Sequence, residues 1–314
     1  MVISNSRESE KKYFMGVDVG GTKILICITD IVGNIVYRRK ISTTNNIIII
    51  KNSILTCLEE ADISIYQLQF ISFGIPGTTD SNSGVILDAP SLGWINFPFK
   101  KELMLHIPIP VYVNNDVNCA ALGEKWLGAA KNMRNFVFIA IGTGVGGAIV
   151  ANDSLIQGEH FMAGEVAYFI LEEDFENSAK NTIGQFGLFE QKTSGTFLAK
   201  HGVNPKQLFS LYKQGDQEAV EIINEFLRYL SIGLSNVVSL LNPEKIILGG
   251  GVSQSLRELI PLIEEKIANY TPIPVAIEQS KLGEIAGAIG AIAFGLENKV
   301  LCEEEGKYGE ESIT

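Results

Sequence analysis

The sequence is poor in cysteine and histidine, with four of one and three of the other in 314 residues. Cys27, Cys57, Cys119 and Cys302 stand far apart, without a C-x-x-C pair and without a histidine at ligand spacing. That excludes a zinc ribbon, a thioredoxin-type motif and a disulfide framework, and leaves reduced thiols. Long apolar runs are missing too. The stretch 47–50 is too short for a bilayer, and charges or glycines interrupt every other one, so no membrane segment is expected. The opening MVISNSRESEKK lacks the basic, apolar and small-residue regions of a signal peptide. Positive charge is in deficit, with 25 Lys and Arg against 36 Asp and Glu for a net charge of −11. An acidic chain disfavours nucleic acid and anionic membranes as partners, so any phosphate ligand must be held locally. Ten prolines and no long polar tract before the C-terminus argue against extensive disorder. The expectation is a soluble, cytoplasmic protein with enough chain for two cores.

What is present is β-rich and glycine-turned. Segments 13–19, 24–29 and 35–40 read as a three-strand meander, followed by a helix over 47–62 with apolar residues at Ile47, Ile50, Ile54, Leu58 and Ala61, and a strand over 69–75. After a loop-rich stretch, 110–113 reads as a strand and 116–127 as a helix closed by Gly128. A second meander starts at 136–141 and passes through Gly142-Thr-Gly-Val-Gly-Gly147 into 148–151. Helices over 216–241, 255–270 and 284–296 and strands over 245–248 and 273–277 complete the pattern. A meander opening each half suggests a duplicated α/β fold with a cleft between the halves. The expected division is a small domain of 1–115 plus 290–314 and a large domain of 116–289.

Three glycine turns offer backbone N–H groups to an anion. Gly20-Gly21-Thr22-Lys23 joins two strands; it is either such a nest or a plain tight hairpin, and it is no Walker A loop because Lys23 follows the Thr and no helix follows. Gly142-x-Gly144-x-x-Gly147 matches the dinucleotide fingerprint literally, yet a strand, not a helix, continues after it. Gly249-Gly250-Gly251 follows a buried strand; it either admits a flat ligand or only turns the chain.

In order, the chain carries Asp18-Val-Gly-Gly-Thr-Lys23, Asn115-Asp116-x-Asn118-x-Ala120-Ala121-Leu122-Gly123-Glu124, Ile141-Gly-Thr-Gly-Val-Gly-Gly147 and Ala163-Gly-Glu165. With these it resembles the ROK family of bacterial sugar kinases and repressors, in its glucokinase-type branch, from about residue 13 to 296. The resemblance implies the two-domain actin-like ATPase fold, related to ribonuclease H, with an interdomain active-site cleft. It implies a kinase that moves the γ-phosphoryl group of Mg-ATP to a free hexose, glucose at its 6-hydroxyl first. Fructose, mannose and N-acetylmannosamine stay open as acceptors, as does a non-catalytic sugar sensor. By resemblance Asp116 is the base, and Asn115, Glu165, Glu190, Gly77 and Ser91 surround the sugar. Gly20, Gly21, Thr22, Lys23, Thr143 and Gly144 cradle the phosphates, Gly250 and Gly251 meet the adenosine, and Asp18 helps hold Mg²⁺ through water. A plain N-cap for Asp116, and surface positions for the two glutamates, are the alternatives. Only seventeen residues precede Asp18, too few for the helix-turn-helix of the family's repressors, and a homodimer is expected from the family.

Two departures stand out. The family binds a structural Zn²⁺ with a His and three Cys, where this chain has Tyr168, Asn181, Ile183 and Leu188 around Gly184-Gln-Phe-Gly187. Ser91 replaces an Asn near the sugar, and both changes alter the polar contacts that select a hexose. Apolar packing of Ile183, Phe186, Leu188 and Phe189 is the expected substitute for the metal. Because these side chains cannot form a tetrahedral thiolate and imidazole set, elemental analysis of tag-free protein is expected to find no stoichiometric zinc. One tightly bound zinc per chain would show the loop to be misread.

Overall fold

The structure is a computed structural model that describes residues 12–176 and 187–311, with backbone alone for 301–311. The chain forms two compact units. One is built from the chain up to Gly123 and from Ile285 onward, the other from Glu124 to Glu284. The expected switches at 115/116 and 289/290 therefore move to 123/124 and 284/285. Asp116 and the first two turns of its helix go with the first unit.

In the first unit β1 (Tyr13–Val19), β2 (Lys23–Asp30) and β3 (Ile35–Ser42) form the antiparallel meander. The helix α1 (Ile47–Glu60) starts where the Asn46 side chain accepts the N–H groups of Ile48 and Ile49, and it buries Ile50, Ile54, Cys57 and Leu58. Next come β4 (Leu68–Ile75), β5 (Thr78–Asp80), β6 (Val85–Ala89), β7 (Trp94–Phe97), the short helix α2 (Phe99–Met104), β8 (Val111–Asn115) and α3 (Asp116–Leu127). The main sheet has the order β3-β2-β1-β4-β8, with β4 and β8 parallel to β1. The stretch read as loop from sequence contains a separate antiparallel sheet, β5-β6-β7. Its strands are three to five residues long and carry glycine turns at Gly77, Gly84 and Gly93, so no alternation develops.

In the second unit β9 (Phe136–Ile141), β10 (Val145–Ala151) and β11 (Ser154–Ile156) repeat the meander. After the short helices α4 (Glu172–Glu176), α5 (Leu188–Thr193) and α6 (Gly195–Ala199) come α7 (Pro205–Lys213) and the long α8 (Gln217–Leu241). The latter is capped by Asp216 and ends on Asn242 in the left-handed region, just before Pro243. Then β12 (Lys245–Gly249), α9 (Ile260–Ala268) and β13 (Ala276–Gln279) complete a sheet of order β11-β10-β9-β12-β13, with β12 parallel to both neighbours. The two sheets share one topology, as the repeated meander implied. Two element starts shifted at a proline. The helix expected from 255 starts at Ile260 because Pro261 suits only its first turn, with residues Ser253–Leu259 in a 3-10 winding. The strand expected at 273–277 begins at Ala276, past Pro274, which has no N–H to give the ladder.

The final helix, α10 (Ala286–Glu311), returns to the first unit and covers β1, β4 and β8. Small residues let it approach at backbone distance. A Cβ at Gly16 of β1 would lie 1.9 Å from the Ala288 carbonyl, and one at Gly290 would lie 1.4 Å from the Cys119 carbonyl of α3. Each unit has its own core: Val17, Ile26, Phe73 and Phe99 belong to one, Ile139, Phe189, Phe226 and Leu248 to the other. Among the described residues no helix is long and apolar enough to cross a membrane. Helix propensity alone would have Gly290→Ala stabilise by about 1 kcal/mol. The contact with Cys119 reverses that, and thermal unfolding is expected to show a loss of at least about 2 kcal/mol. A raised melting temperature would refute the close seam.

Candidate active site

In the first unit β1 ends on Asp18 and β8 runs without a loop into Asp116, the first residue of α3. The turn from β8 is organised by two amides. Asn115 Oδ1 accepts from the N–H groups of Val117 at 2.8 Å and Asn118 at 3.0 Å, so Asn115 caps the helix, and its Nδ2 donates to the Gly77 carbonyl at 2.9 Å. Asn114 Oδ1 accepts from Asn115 N at 2.7 Å and Asn118 Nδ2 at 3.2 Å. With capping done by Asn115, the Asp116 carboxylate takes only local backbone donors, Val117 N at 3.0 Å and its own N–H, and keeps acceptor positions beyond them. Asn115 and Gly77 are thus brought together, with three of the four hydrogen-bonding positions of the Asn115 amide committed internally. Ser91 lies exposed in the 3-10 turn Pro90–Leu92.

The turn Gly20–Lys23 is pinned by Gly20 N donating to the Lys23 carbonyl at 2.9 Å and by Thr43, whose N and Oγ1 donate to the carbonyls of Thr22 and Gly20 at 3.1 and 2.7 Å. Gly21, Thr22 and Lys23 are exposed, and among the described residues the N–H groups of Gly21 and Thr22 have no partner. That is the concave, donor-lined form of a nest.

Asp18 and Asp116 are partly buried and share one electrostatic environment. Burial, reinforced by the charge of Asp116, raises Asp18 to about 7, and burial raises Asp116 to about 6 against the opposing pull of the Val117 N–H. Cys119, fully buried one turn along α3, is pushed well above its ordinary range by burial and then by the two carboxylates, so it stays a thiol. The helix α10 holds Asp18 from behind: a Cβ at Gly287 would lie 2.5 Å from its carboxyl carbon.

In the second unit the turn between β9 and β10 carries Thr143 and Gly144. Its carbonyls are fixed by α6: Gly195 N donates to Gly142 at 2.8 Å, and Thr196 Oγ1 donates to Thr143 at 2.7 Å. Glu190, on α5, sits against this turn, with Oε2 accepting from Val145 N at 2.9 Å. A Cβ at Gly144 would lie 2.5 Å from that oxygen. Burial raises the proton affinity of Glu190. Among the described residues the N–H groups of Thr143 and Gly144 have no partner and remain for an anion. Glu165 is half-buried ahead of the 3-10 turn Val166–Tyr168, beside an apolar cavity of about 330 Å³ that Met162, Phe169 and Leu240 help to line. Gly250 has φ +84° and a Cβ there would lie 2.4 Å from the Ile141 carbonyl, so only glycine fits. Gly251 is open. Both line a cleft of about 880 Å³ with Lys206, Ser253, Arg257 and Gln279. A neighbouring hollow of about 730 Å³ shares Lys206 and Gly251 and reaches Thr143 and Thr196.

A profile of the ROK family matches residues 14–297. The chain belongs to the ROK family. It is 34% identical over 310 residues to a glucokinase of Halalkalibacterium halodurans, covering 89% of this chain and 93% of the relative. An N-acetyl-D-glucosamine kinase of Salmonella typhimurium is 26% identical over 88% of this chain and 97% of its own. Among solved structures, a ROK family glucokinase from Streptomyces griseus in complex with glucose and AMPPNP superposes with a TM-score of 0.72 at 26% identity, covering 90% of this chain and 98% of that one. The two repeated sheets are those of the actin-like ATPase fold.

Several residues of this ROK chain that the sequence did not single out help to build the site. Asp174, nearly fully buried, accepts the N–H of Leu171 at 3.0 Å and that of Leu188 at 3.0 Å, tying together the chain on both sides of 177–186 and starting the helix that carries Glu190. Asn181, Ile183, Gly184 and Phe186 lie outside the described residues. Phe189 is buried in the core as expected, and Leu188 is half-buried. Thr196, Lys206 and Arg257 had no local signal, since only the fold turns them toward two neighbouring hollows that share Lys206.

The raised carboxylates link stability to pH. Because the folded protein keeps these protons to higher pH than the unfolded chain does, stability declines as pH rises from about 4 to about 7. Asp116→Asn removes one partly buried charge and relieves Asp18. It is expected to raise the melting temperature at pH 8, with the gain shrinking toward pH 4. A lower melting temperature at pH 8 would count against the strained pair.

Proposed function

We propose that this ROK sugar kinase transfers the γ-phosphoryl group of ATP to the 6-hydroxyl of free glucose, with Asp116 as the base. The observation that carries the reading is the Asp116 carboxylate. It stands at a helix start capped by another residue, it is partly buried with its proton affinity raised to about 6, and it keeps acceptor positions for a ligand. A carboxylate so poised takes the proton of an attacking hydroxyl near neutral pH. Phosphoryl transfer otherwise requires positioning and charge neutralisation, which this chain offers as turns with open N–H groups at Gly20–Lys23 and Thr143–Gly144.

The large cleft beside Gly250 and Gly251 suits the adenosine, and Glu165, Glu190, Asn115, Gly77 and Ser91 suit the sugar. Asp18 fits a metal-bearing substrate, being a partly exposed carboxylate with a proton affinity raised to about 7. Mg²⁺ delivered with ATP would supply charge neutralisation there, and Asp18 would orient its water shell. Glu190 sits close to the Thr143–Gly144 turn, so its carboxylate would repel a phosphate placed too deep and so set how far the chain admits it.

Glucose comes first because the 34%-identical relative is a glucokinase. A second reading, another hexose such as fructose, mannose or N-acetylmannosamine, is favoured by Tyr168 and Ser91 at positions that shape the sugar contacts; a non-catalytic sugar sensor is the remaining one. The same reading has the protein cytoplasmic and homodimeric. A coupled ADP-release assay over a panel of free hexoses is expected to give glucose the highest kcat/KM, with the rate rising through about pH 6. Asp116→Asn is expected to lower kcat by about 10² or more with little change in sugar affinity. Retained turnover in that variant would remove Asp116 as base. No turnover and no thermal shift with any hexose would remove the kinase reading.

A further inference from the structure

Glu124 closes the Asn115–Glu124 motif but has no place in the chemistry just described. It is fully buried, with no exposed surface. Its carboxylate is surrounded by donors: Oε2 accepts from Ala129 N at 2.6 Å and Lys281 N at 3.1 Å, Oε1 from Ser280 Oγ at 2.5 Å and Leu282 N at 2.9 Å. Ser280 Oγ in turn accepts from Gly283 N at 2.9 Å. The Lys281 ammonium pairs with Glu278. A buried carboxylate without a cation is costly unless donors satisfy it, and here a hydroxyl and three backbone N–H groups do so.

Three of the four donors come from one segment, 280–282. Ser280, Lys281 and Gly283 form a wall of the 880 Å³ cleft. The preceding residue, Gln279, is tied to the opposite side, accepting from Arg257 Nε at 2.7 Å and donating to the Ser253 carbonyl at 2.5 Å. The carboxylate reaches the wall by folding back past Gly128, where a Cβ would lie 2.1 Å from Oε2. Glu124 also lies two turns after Asp116 in the same helix.

We propose that Glu124 is a positioning residue that fixes the 280–283 wall of the nucleotide cleft, so that the cleft keeps the shape that holds ATP. This rests on the nucleotide reading of the cleft. The test uses full-length protein and a fluorescent ATP analogue, with ATP and glucose kinetics measured per folded molecule. Glu124→Gln turns an amide donor toward donors, and Ser280→Ala removes one of them. Each is expected to weaken analogue binding and raise the KM for ATP by about tenfold, the equivalent of one charge-assisted hydrogen bond, with the sugar KM in place. Ser280→Thr, which keeps the hydroxyl, restores the affinity. A merely structural role would lower the folded fraction and leave both KM values alone. Unchanged analogue affinity in both variants, or equal weakening of ATP and sugar, overturns the proposal. If Glu124→Gln does not fold, the Ser280 pair decides. Wild-type protein that binds no analogue overturns the nucleotide reading itself, a result distinct from intact wild-type binding with unaffected variants.

Discussion

The closeness of α10 to β1 and α3 is the constraint on which the first unit rests. Gly16 and Gly290 let backbone meet backbone, and the same seam brings Gly287 against Asp18 and leaves Cys119 without solvent. Packing at this distance excludes water from the back of Asp18 while its outer side stays open. Desolvation raises its proton affinity and that of Asp116, a cost that a structural site would avoid and a site for a charged substrate uses. The hydrophobic residues of β1 and β4 supply cohesion; the glycines decide how deep the carboxylates sit.

The acidic chain handles its other inner carboxylates differently. Glu124 and Asp174 are buried and held by backbone N–H groups, and Glu190 takes one such bond beside the Thr143–Gly144 turn. With cations scarce, the backbone does the neutralising, and it does so at chain reversals where N–H groups are free of helix and sheet. A carboxylate bound this way fixes a loop more tightly than an exposed ion pair, because charge-assisted bonds in a dry site are strong and directional. Asp174 shows this: its two oxygens join Leu171 to Leu188 across 177–186.

The duplication was legible because a glycine turn joins the first two strands of each meander, and strands of six to eight residues leave readable apolar runs. The small sheet of β5, β6 and β7 was not, since strands of three to five residues broken by glycine leave no period to read. Proline moved two boundaries for reasons visible locally, in Pro261 and Pro274. Asp116 was picked out as a candidate through its motif, but its freedom from capping duty was not legible, because that depends on where the Asn115 side chain turns.

Residue order by itself determined the repeated α/β pattern, the order of the motifs, the scarcity of metal ligands and the acidic balance, all of which follow from local composition and spacing. Only the tertiary structure decided that Asp116 belongs with Asp18 in the first unit, that Glu190 leans on the Thr143–Gly144 turn, and that Glu124 reaches Ser280 more than 150 residues away. The reason is physical: hydrogen-bond partners and desolvation are set by which distant segments pack together, and neither leaves a trace in the spacing of neighbours along the chain.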